Sequence, residues 1–451
     1  MKRIERLAVC TVLWIATISP VWAAPLTRGA SLQVCNAASG FTNLREGPGA
    51  SRHAVAARMP NGQRLRFENA ERTPEGHVYY RVAVMDAHGG ALRSGFVHDQ
   101  AVRAHCDLPP TQNPQIARLA AALAADNPGL AASDIVSVNA AFDGTSIDLK
   151  HLPQLQDLSA LADWYTLEFI DVTASGVTDV SPLAGLHSLK TLSLYETAVR
   201  EITPLSTLRA LQTLNLHGTR IDDVDALSGL PDLQTLYLSS SSVRDISALA
   251  SLPDLRVLTL SETQVRDYSA LGSVSSLRML SLTRGGVRDT SFLRDKPLLK
   301  TLDLDGNEIV DLSVIATLPA LENAGLSTNP FTDIGPLAAM QTLRTLSLAN
   351  SQVVDYGPLA ALTSLTELVL TGSAVVDLAP LASLTRLESL SLGETAVARL
   401  DPVAKMPSLR RLDVFNTRVG DLAPLAALQR LERLSISGTP VDDLSPLAGH
   451  R

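Results

Sequence analysis

The side chains best placed to do chemistry form a column. Asp179, Asp223, Asp245, Asp267, Asp289, Asp311, Asp333, Asp355, Asp377, Asp421 and Asp443 share one slot of a period of 22, with Glu201 and Arg399 in the two remaining places. If each period is one turn of a coil, adjacent carboxylates lie about 5 Å apart. Unpaired, they would repel. Two arrangements relieve that. Each carboxylate can accept the backbone N–H of a following turn, or the column can hold calcium, which takes about six to eight oxygen ligands. No second oxygen-ligand column of comparable regularity exists, so the aspartates are read as structural caps and no metal site is expected. Catalysis finds no support either. The nine histidines form no HExxH, and there is no G-x-S-x-G elbow and no phosphate loop. No catalytic residue, cofactor or enzymatic activity is expected.

The column needs a scaffold, and the leucines supply it. Pairs such as Leu192/Leu194, Leu214/Leu216 and Leu236/Leu238 recur at the same period, without insertion, as far as Leu434/Ile436. Ile170/Val172 extends the series back to make thirteen coils, and Ile147/Leu149 is a degenerate fourteenth. A register kept this long means a solenoid. Residues two apart face one side of a strand, whereas Leu183, Leu186, Leu189 and Leu192 are three apart and suit 3₁₀ turns. Each coil is therefore one parallel strand inside and a tight 3₁₀-like back. Ahead of the array, Asn113 and Pro114 start a helix whose Ile116, Leu119, Ala120 and Leu123 form one apolar stripe, ended by Asn127-Pro128.

The run Leu189-x-x-Leu192-x-Leu194-x-x-Thr197-x-Val199, with Asp179-Val180-Ser181-Pro182-Leu183 before it, resembles the leucine-rich repeat family, specifically its internalin-like 22-residue class. The resemblance spans 147–451 and implies an α/β solenoid, with 114–146 as its N-terminal cap. The class usually carries Asn at the turn slot. Here that slot holds six Thr, four Ser, Asn307, Asn329 and Gly285, and Thr or Ser is expected to bond the neighbouring backbone more weakly.

The first segment reads as an address. Lys2, Arg3 and Arg6 precede an apolar run from Leu7 to Ile18, and Val21-Trp22-Ala23 fits a signal-peptidase site. Removing residues 1–23 takes three basic and one acidic residue from a chain of net charge −8 and leaves −10. No run is long enough to span a bilayer, and a net acidic chain disfavours nucleic acid. An exported protein, periplasmic or extracellular, meets an oxidising compartment, where Cys35 and Cys106 can pair.

Residues 31–106 read as a small all-β barrel of about five strands. Asn61-Gly62 promises a hairpin between Val55-Ala56-Ala57-Arg58-Met59 and Leu65-Arg66-Phe67. The run Asn43-Leu44-Arg45-Glu46-Gly47-Pro48-Gly49 and Gly95-Phe96-Val97 are similar to the opening and closing motifs of the bacterial Src-homology-3 family. That resemblance implies contact with peptidoglycan through aromatics, for which Phe41, Tyr79, Tyr80 and Phe96 are the candidates. Residues 24–111 carry ten Arg and no Lys, which could favour acidic wall polymers. Residues 107–113, stiffened by Pro109-Pro110, are the linker.

On the solenoid, residues flanking each leucine pair face the inner curve, and most are Thr or Ser. The exceptions are the candidate anchors for a protein partner: Phe169, Tyr195, His217 and Tyr237 on four successive coils, and Arg411, Arg433 and Phe415 near the end. Asp303 and Asp305 form an acidic spot between them. On the edge, Arg244, Arg266 and Arg288 are expected to neutralise the aspartate column. Lys296 takes a slot that is apolar in most coils and should snorkel to solvent. The last strand, Leu434 to Ile436, has no evident cap, an open edge that could admit a second copy or a partner. Two functions follow. One is an exported, non-catalytic envelope protein whose barrel touches wall material while the solenoid holds a protein. The other, implied by the internalin-like resemblance, is a secreted host- or competitor-directed recognition factor.

Overall fold

The computed structural model describes residues 114–139 and 142–449 throughout, together with seven strands between 31 and 103. Residues 1–23, read above as a signal peptide, Cys35, Cys106 and residues 107–113, read as a linker, lie outside the described residues. The chain divides into two units, 1–106 and 107–451.

The first unit contains β1 (Ser31–Val34), β2 (Phe41–Arg45), β3 (Val55–Pro60), β4 (Arg64–Arg72), β5 (Val78–Met85), β6 (Ala91–His98) and β7 (Val102–Arg103). They pair antiparallel in the order β3-β2-β6-β5-β4-β1-β7. Among the described residues β3 and β4 do not pair, contrary to the hairpin expected at Asn61-Gly62. β3 pairs with β2, from Phe41 opposite Pro60 to Arg45 opposite Val55, while β4 pairs with β5 and β1. Pairing across the unit overrides the local turn signal. Phe41 opens β2, Tyr79 and Tyr80 lie in β5, and Phe96 lies in β6 opposite Arg45 and Arg81.

The second unit is a solenoid. Fourteen parallel strands of three residues each, from β8 (Ser146–Asp148) to β21 (Arg433–Ser435), form one sheet in strict chain order. Neighbouring strands pair in one constant register, Leu192 with Leu214 and so on along the array, except that β8 and β9 (Phe169–Asp171) join Ile147 to Ile170, one residue longer. The opposite wall is a series of fourteen 3₁₀ turns from Ser159–Leu161 to Ser445–Leu447. Strand leucines and turn leucines meet in one continuous apolar core, nearly all of it wholly buried. Each buried leucine is worth about 2 kcal/mol, and a coil contributes four to five of them only because its neighbours cover it.

Closing so short a coil requires a sharp reversal after each strand. One slot, from Ala174 through Glu196 and Gly218 to Gly438, takes a left-handed backbone in all thirteen coils that carry it. Nine of the thirteen are not glycine, so the coil geometry overrides a local penalty of about 1 kcal/mol at each. Thr328, β-branched at φ 54°, is the least suited.

The N-terminal end is closed by α1 (Pro114–Asp126) and α2 (Ala132–Val138). Ile116, Leu119, Ala120 and Leu123 are buried against the first coils. Asn127 does more than end α1. Its amide donates to the carbonyls of Leu123 and Asp157, both at 2.8 Å, and its carbonyl accepts the N–H groups of Gln156 and Asp157 at 2.6 and 2.7 Å. Asn139 staples α2 to β8 in the same way, bonding Ile135 and both backbone groups of Asp148. A buried amide that satisfies several backbone groups at once is a rigid joint.

Candidate functional site

The aspartate column sits where the edge of each coil turns into its 3₁₀ back. In all eleven coils Oδ1 of the aspartate accepts the backbone N–H two residues on, at 2.7–2.8 Å: Ser181 for Asp179, Asp225 for Asp223, and so on to Ser445 for Asp443. Asp157 makes the same bond to Ser159 one coil earlier. Where a serine follows, its hydroxyl and N–H together hold the carboxyl below the usual range, as at Asp179, Asp289 and Asp311. No group of three or more His, Cys, Asp or Glu among the described residues is arranged to hold a metal ion.

The edge arginines do not pair with this column. Arg244 donates to Gln264 at 2.9 Å and Arg288 to Glu308 at 2.7 Å, each reaching sideways into the next coil. Arg266 has no ion-pair or hydrogen-bond partner among the described residues. The aspartates are already occupied by backbone donors, so the guanidinium groups find other acceptors. Beneath Arg266 and Arg288 lies a cavity of about 480 Å³ walled by Tyr268 and Phe292. Tyr268 enters the space that Gly285 leaves open and donates its hydroxyl to the Gly285 carbonyl at 2.9 Å. Burial pushes its phenol up to about 12. Lys296 is buried rather than snorkelled. It is 1% exposed, and its ammonium donates to the Gly272 carbonyl at 2.9 Å. Desolvation lowers its pKa from the ordinary value. A backbone acceptor in the preceding coil lies nearer than solvent.

The turn slot behaves differently for each residue type. Thr197, Thr219, Thr395, Thr417 and Thr439 donate to the carbonyl three residues back, within their own coil. Ser175, Ser241, Ser351 and Ser373 are buried with no partner for the hydroxyl. Only Asn307 and Asn329 bridge to the neighbouring coil, accepting the N–H groups of Val287 and Ile309 and donating to the carbonyls of Leu282 and Leu304.

The inner face is a ribbon of half-buried side chains on a stiff sheet. Near its N-terminal end, Tyr195 and His217 stack with ring centroids 4.8 Å apart and planes 7° from parallel. Phe169 lies one coil before and Tyr237 one coil after, in neighbouring columns, and all four rings are half-buried. In mid-array, Asp303 and Asp305 converge where Gly325 provides no side chain; a Cβ there would stand 2.9 Å from an Asp303 oxygen. Asp305 accepts the Ser327 N–H at 2.6 Å, yet burial and the Asp303 charge raise its pKa. Toward the C-terminal end, Arg411 stands directly opposite Arg433 across paired strands. The Phe415 ring occupies the space that Gly393, without a side chain, leaves open. At the far end of the array Leu434 and Ile436 are only half-buried and Leu444 is exposed.

This geometry defines a class: a rigid curved scaffold that presents a continuous row of side chains. A family model described as a leucine-rich repeat region matches residues 137–447, and the chain belongs to the leucine-rich repeat family. It is similar in fold to an internalin, InlF, of Listeria monocytogenes (TM-score 0.60, 24% identity, 73% of this chain and 98% of that one). It is also similar to a leucine-rich-repeat protein of Leptospira interrogans (0.57, 20%, 66% and 85%). The functional domain of InlJ from Listeria monocytogenes, which includes a cysteine ladder, gives 0.50 and 19%, covering 67% of this chain and 70% of that one. In this chain the turn slot carries no cysteine. A comparison with curated proteins finds no match. Leucine-rich repeats are protein-interaction modules, and no helix among the described residues is long and apolar enough to cross a membrane.

Proposed function

We propose that the chain is an exported, non-catalytic binding protein whose inner sheet docks a protein partner while the N-terminal β unit contacts cell-wall material. The observation that carries the first half is the Tyr195–His217 stack, flanked by Phe169 and Tyr237, on a sheet that cannot relax away from a partner. Pre-ordered aromatic side chains lose little entropy on binding and make strong anchors. Tyr195→Ala combined with His217→Ala should reduce capture of the partner by the mature chain at least tenfold. Unchanged capture would remove the inner face from the reading.

The wall-contact half rests on the antiparallel strands of 31–103, the bacterial Src-homology-3-like motifs, and the arginine-rich composition. The mature chain should co-sediment with purified peptidoglycan sacculi, and substitutions at Tyr79, Tyr80 and Phe96 should release it. Free protein in the supernatant would refute wall contact. A second reading, a secreted host- or competitor-directed recognition factor, is favoured by the likeness to internalin InlF. Fractionation separates the two: retention in the envelope supports the first, and accumulation in culture supernatant supports the second.

A further inference from the structure

The inner face is polarised in charge. Arg411 and Arg433 occupy the same register position on adjacent strands, so their Cα atoms are about 5 Å apart. Both are exposed. Among the described residues neither has a carboxylate within ion-pair distance, and Arg411 has only a 3.4 Å contact to the Ser389 hydroxyl. One residue earlier the array does the opposite. Arg410 is bracketed by Glu388 and Glu432, with its guanidinium 2.7 Å from the Glu432 carboxylate. Arg410 on the flank is thus paired, whereas two like charges are stacked on the inner face. Stacked like charges are destabilising, and departures of that kind collect where a ligand supplies the missing partner. A cavity of about 280 Å³ is lined by both arginines, by Ser389, Ser391 and Ser435, and by Asp413, whose Oδ1 accepts the Phe415 N–H at 3.2 Å.

Five coils back, Asp303 and Asp305 are the reverse case. They crowd into the space above Gly325, and neither has a cation within ion-pair distance among the described residues. Five strand spacings make about 24 Å. An extended chain advances about 3.3 Å per residue, so the two spots are about seven residues apart along a segment laid down the solenoid.

We propose that the inner face takes an extended polypeptide segment that sets acidic side chains between Arg411 and Arg433 and a basic side chain, about seven residues away, on Asp303 and Asp305. Resting on the protein-docking reading above, this names the partner's chemistry. Guanidinium pairs bind carboxylates bidentately, and the charge order fixes the direction in which the segment lies.

The test uses the full mature chain and a labelled, end-capped peptide carrying two glutamates and two lysines separated by six Gly/Ser residues, read by fluorescence anisotropy. Arg411→Gln with Arg433→Gln should weaken binding at least tenfold. Replacing the lysines by serine should weaken binding several-fold to the native chain and not at all to Asp303→Asn/Asp305→Asn. Arg411→Glu with Arg433→Glu should reverse the preference toward an all-lysine peptide. Absence of peptide binding, equal binding by the double-glutamine variant, or full displacement by millimolar inorganic phosphate (a small-anion site) would each overturn the proposal. If these peptides fail while partner capture still depends on Tyr195 and His217, this inference falls alone and the docking reading stands.

Discussion

Asn329→Ser converts a coil that bridges to its neighbour into one that does not, which isolates what holds coil to coil apart from leucine burial. Asn329 is 2% exposed. Its side chain accepts the Ile309 N–H at 3.1 Å and donates to Leu304 at 2.9 Å, both in the preceding coil, and to Leu326 at 3.1 Å in its own. Serine at the same slot, as in Ser351, reaches none of these. The Leu304 carbonyl keeps a second donor in Asn307, but the Ile309 N–H is orphaned. Two lost inter-coil bonds at about 1 kcal/mol each, plus a buried donor without an acceptor, give a loss of about 3 kcal/mol. If the roughly 310-residue array melts as one unit at about 2.1 cal/mol/K per residue, Tm falls by about 5 °C. Differential scanning calorimetry and urea midpoints both read this. Thr417→Ala, which removes a bond to the Val414 carbonyl and a long 3.5 Å bond from the Val419 N–H, both within the coil, should cost about 1 kcal/mol. The reciprocal Ser351→Asn would meet Phe331 and Leu326, which stand to it as Ile309 and Leu304 stand to Asn329, and should raise Tm. A loss of less than about 1 °C for Asn329→Ser, or a loss no larger than that of Thr417→Ala, would refute bridging as a distinct source of stability.

Three further outcomes follow from the same geometry. Carboxyls such as Asp179 have folded pKa values below the ordinary 3.8 because the following serine donates to them, so the folded state holds fewer protons there. Their contribution is intact above about pH 4 and lost as pH falls through the folded values; Asp179→Ala should cost about 1 kcal/mol, with Asp179→Asn retaining part of the cap and removing its acid sensitivity. Lys296 has a folded pKa below its ordinary 10.5, so stability should rise with pH across that interval, and Lys296→Met, matching Met340 and Met406 in the same slot, should raise Tm at neutral pH and flatten that rise. Gly285→Ala would place a Cβ 2.6 Å from the Tyr268 hydroxyl and 2.9 Å from the Leu282 carbonyl, and should cost about 1–3 kcal/mol while shifting the alkaline titration of tyrosine, followed by ultraviolet absorbance, downward as Tyr268 is displaced toward water.

The solenoid was legible because its signal is periodic. A leucine pair once per coil sets the strand, and leucines three apart set the 3₁₀ back; neither depends on any single residue. The start of α1 at Pro114 and its buried stripe of Ile116, Leu119, Ala120 and Leu123 were legible for the same reason. What escaped was non-periodic or lay across coils. Asn127 and Asn139 look like helix terminators, and nothing local shows that their amides reach Asp157 and Asp148. The left-handed slot was signalled only by Gly218, Gly306, Gly372 and Gly438, in register among bulkier residues. Lys296 and the edge arginines were misjudged because their acceptors, Gly272, Gln264 and Glu308, come from neighbouring coils or turns and are set by side-chain reach rather than by spacing. The inner-face aromatics were visible as exceptions in a Thr/Ser-rich column, but the stacking of Tyr195 on His217 follows from the constant register that places both in one column.

The most direct test of the account compares faces of the same scaffold. The full chain is immobilised in native form, as Tyr195→Ala/His217→Ala/Tyr237→Ala, and as a back-face control with Gln341→Ala and Gln429→Ala, and each is challenged with a partner isolated on the native chain. The account predicts a loss of at least tenfold in affinity for the inner-face variant and none for the control. Equal binding by all three, or loss in the control alone, would contradict it.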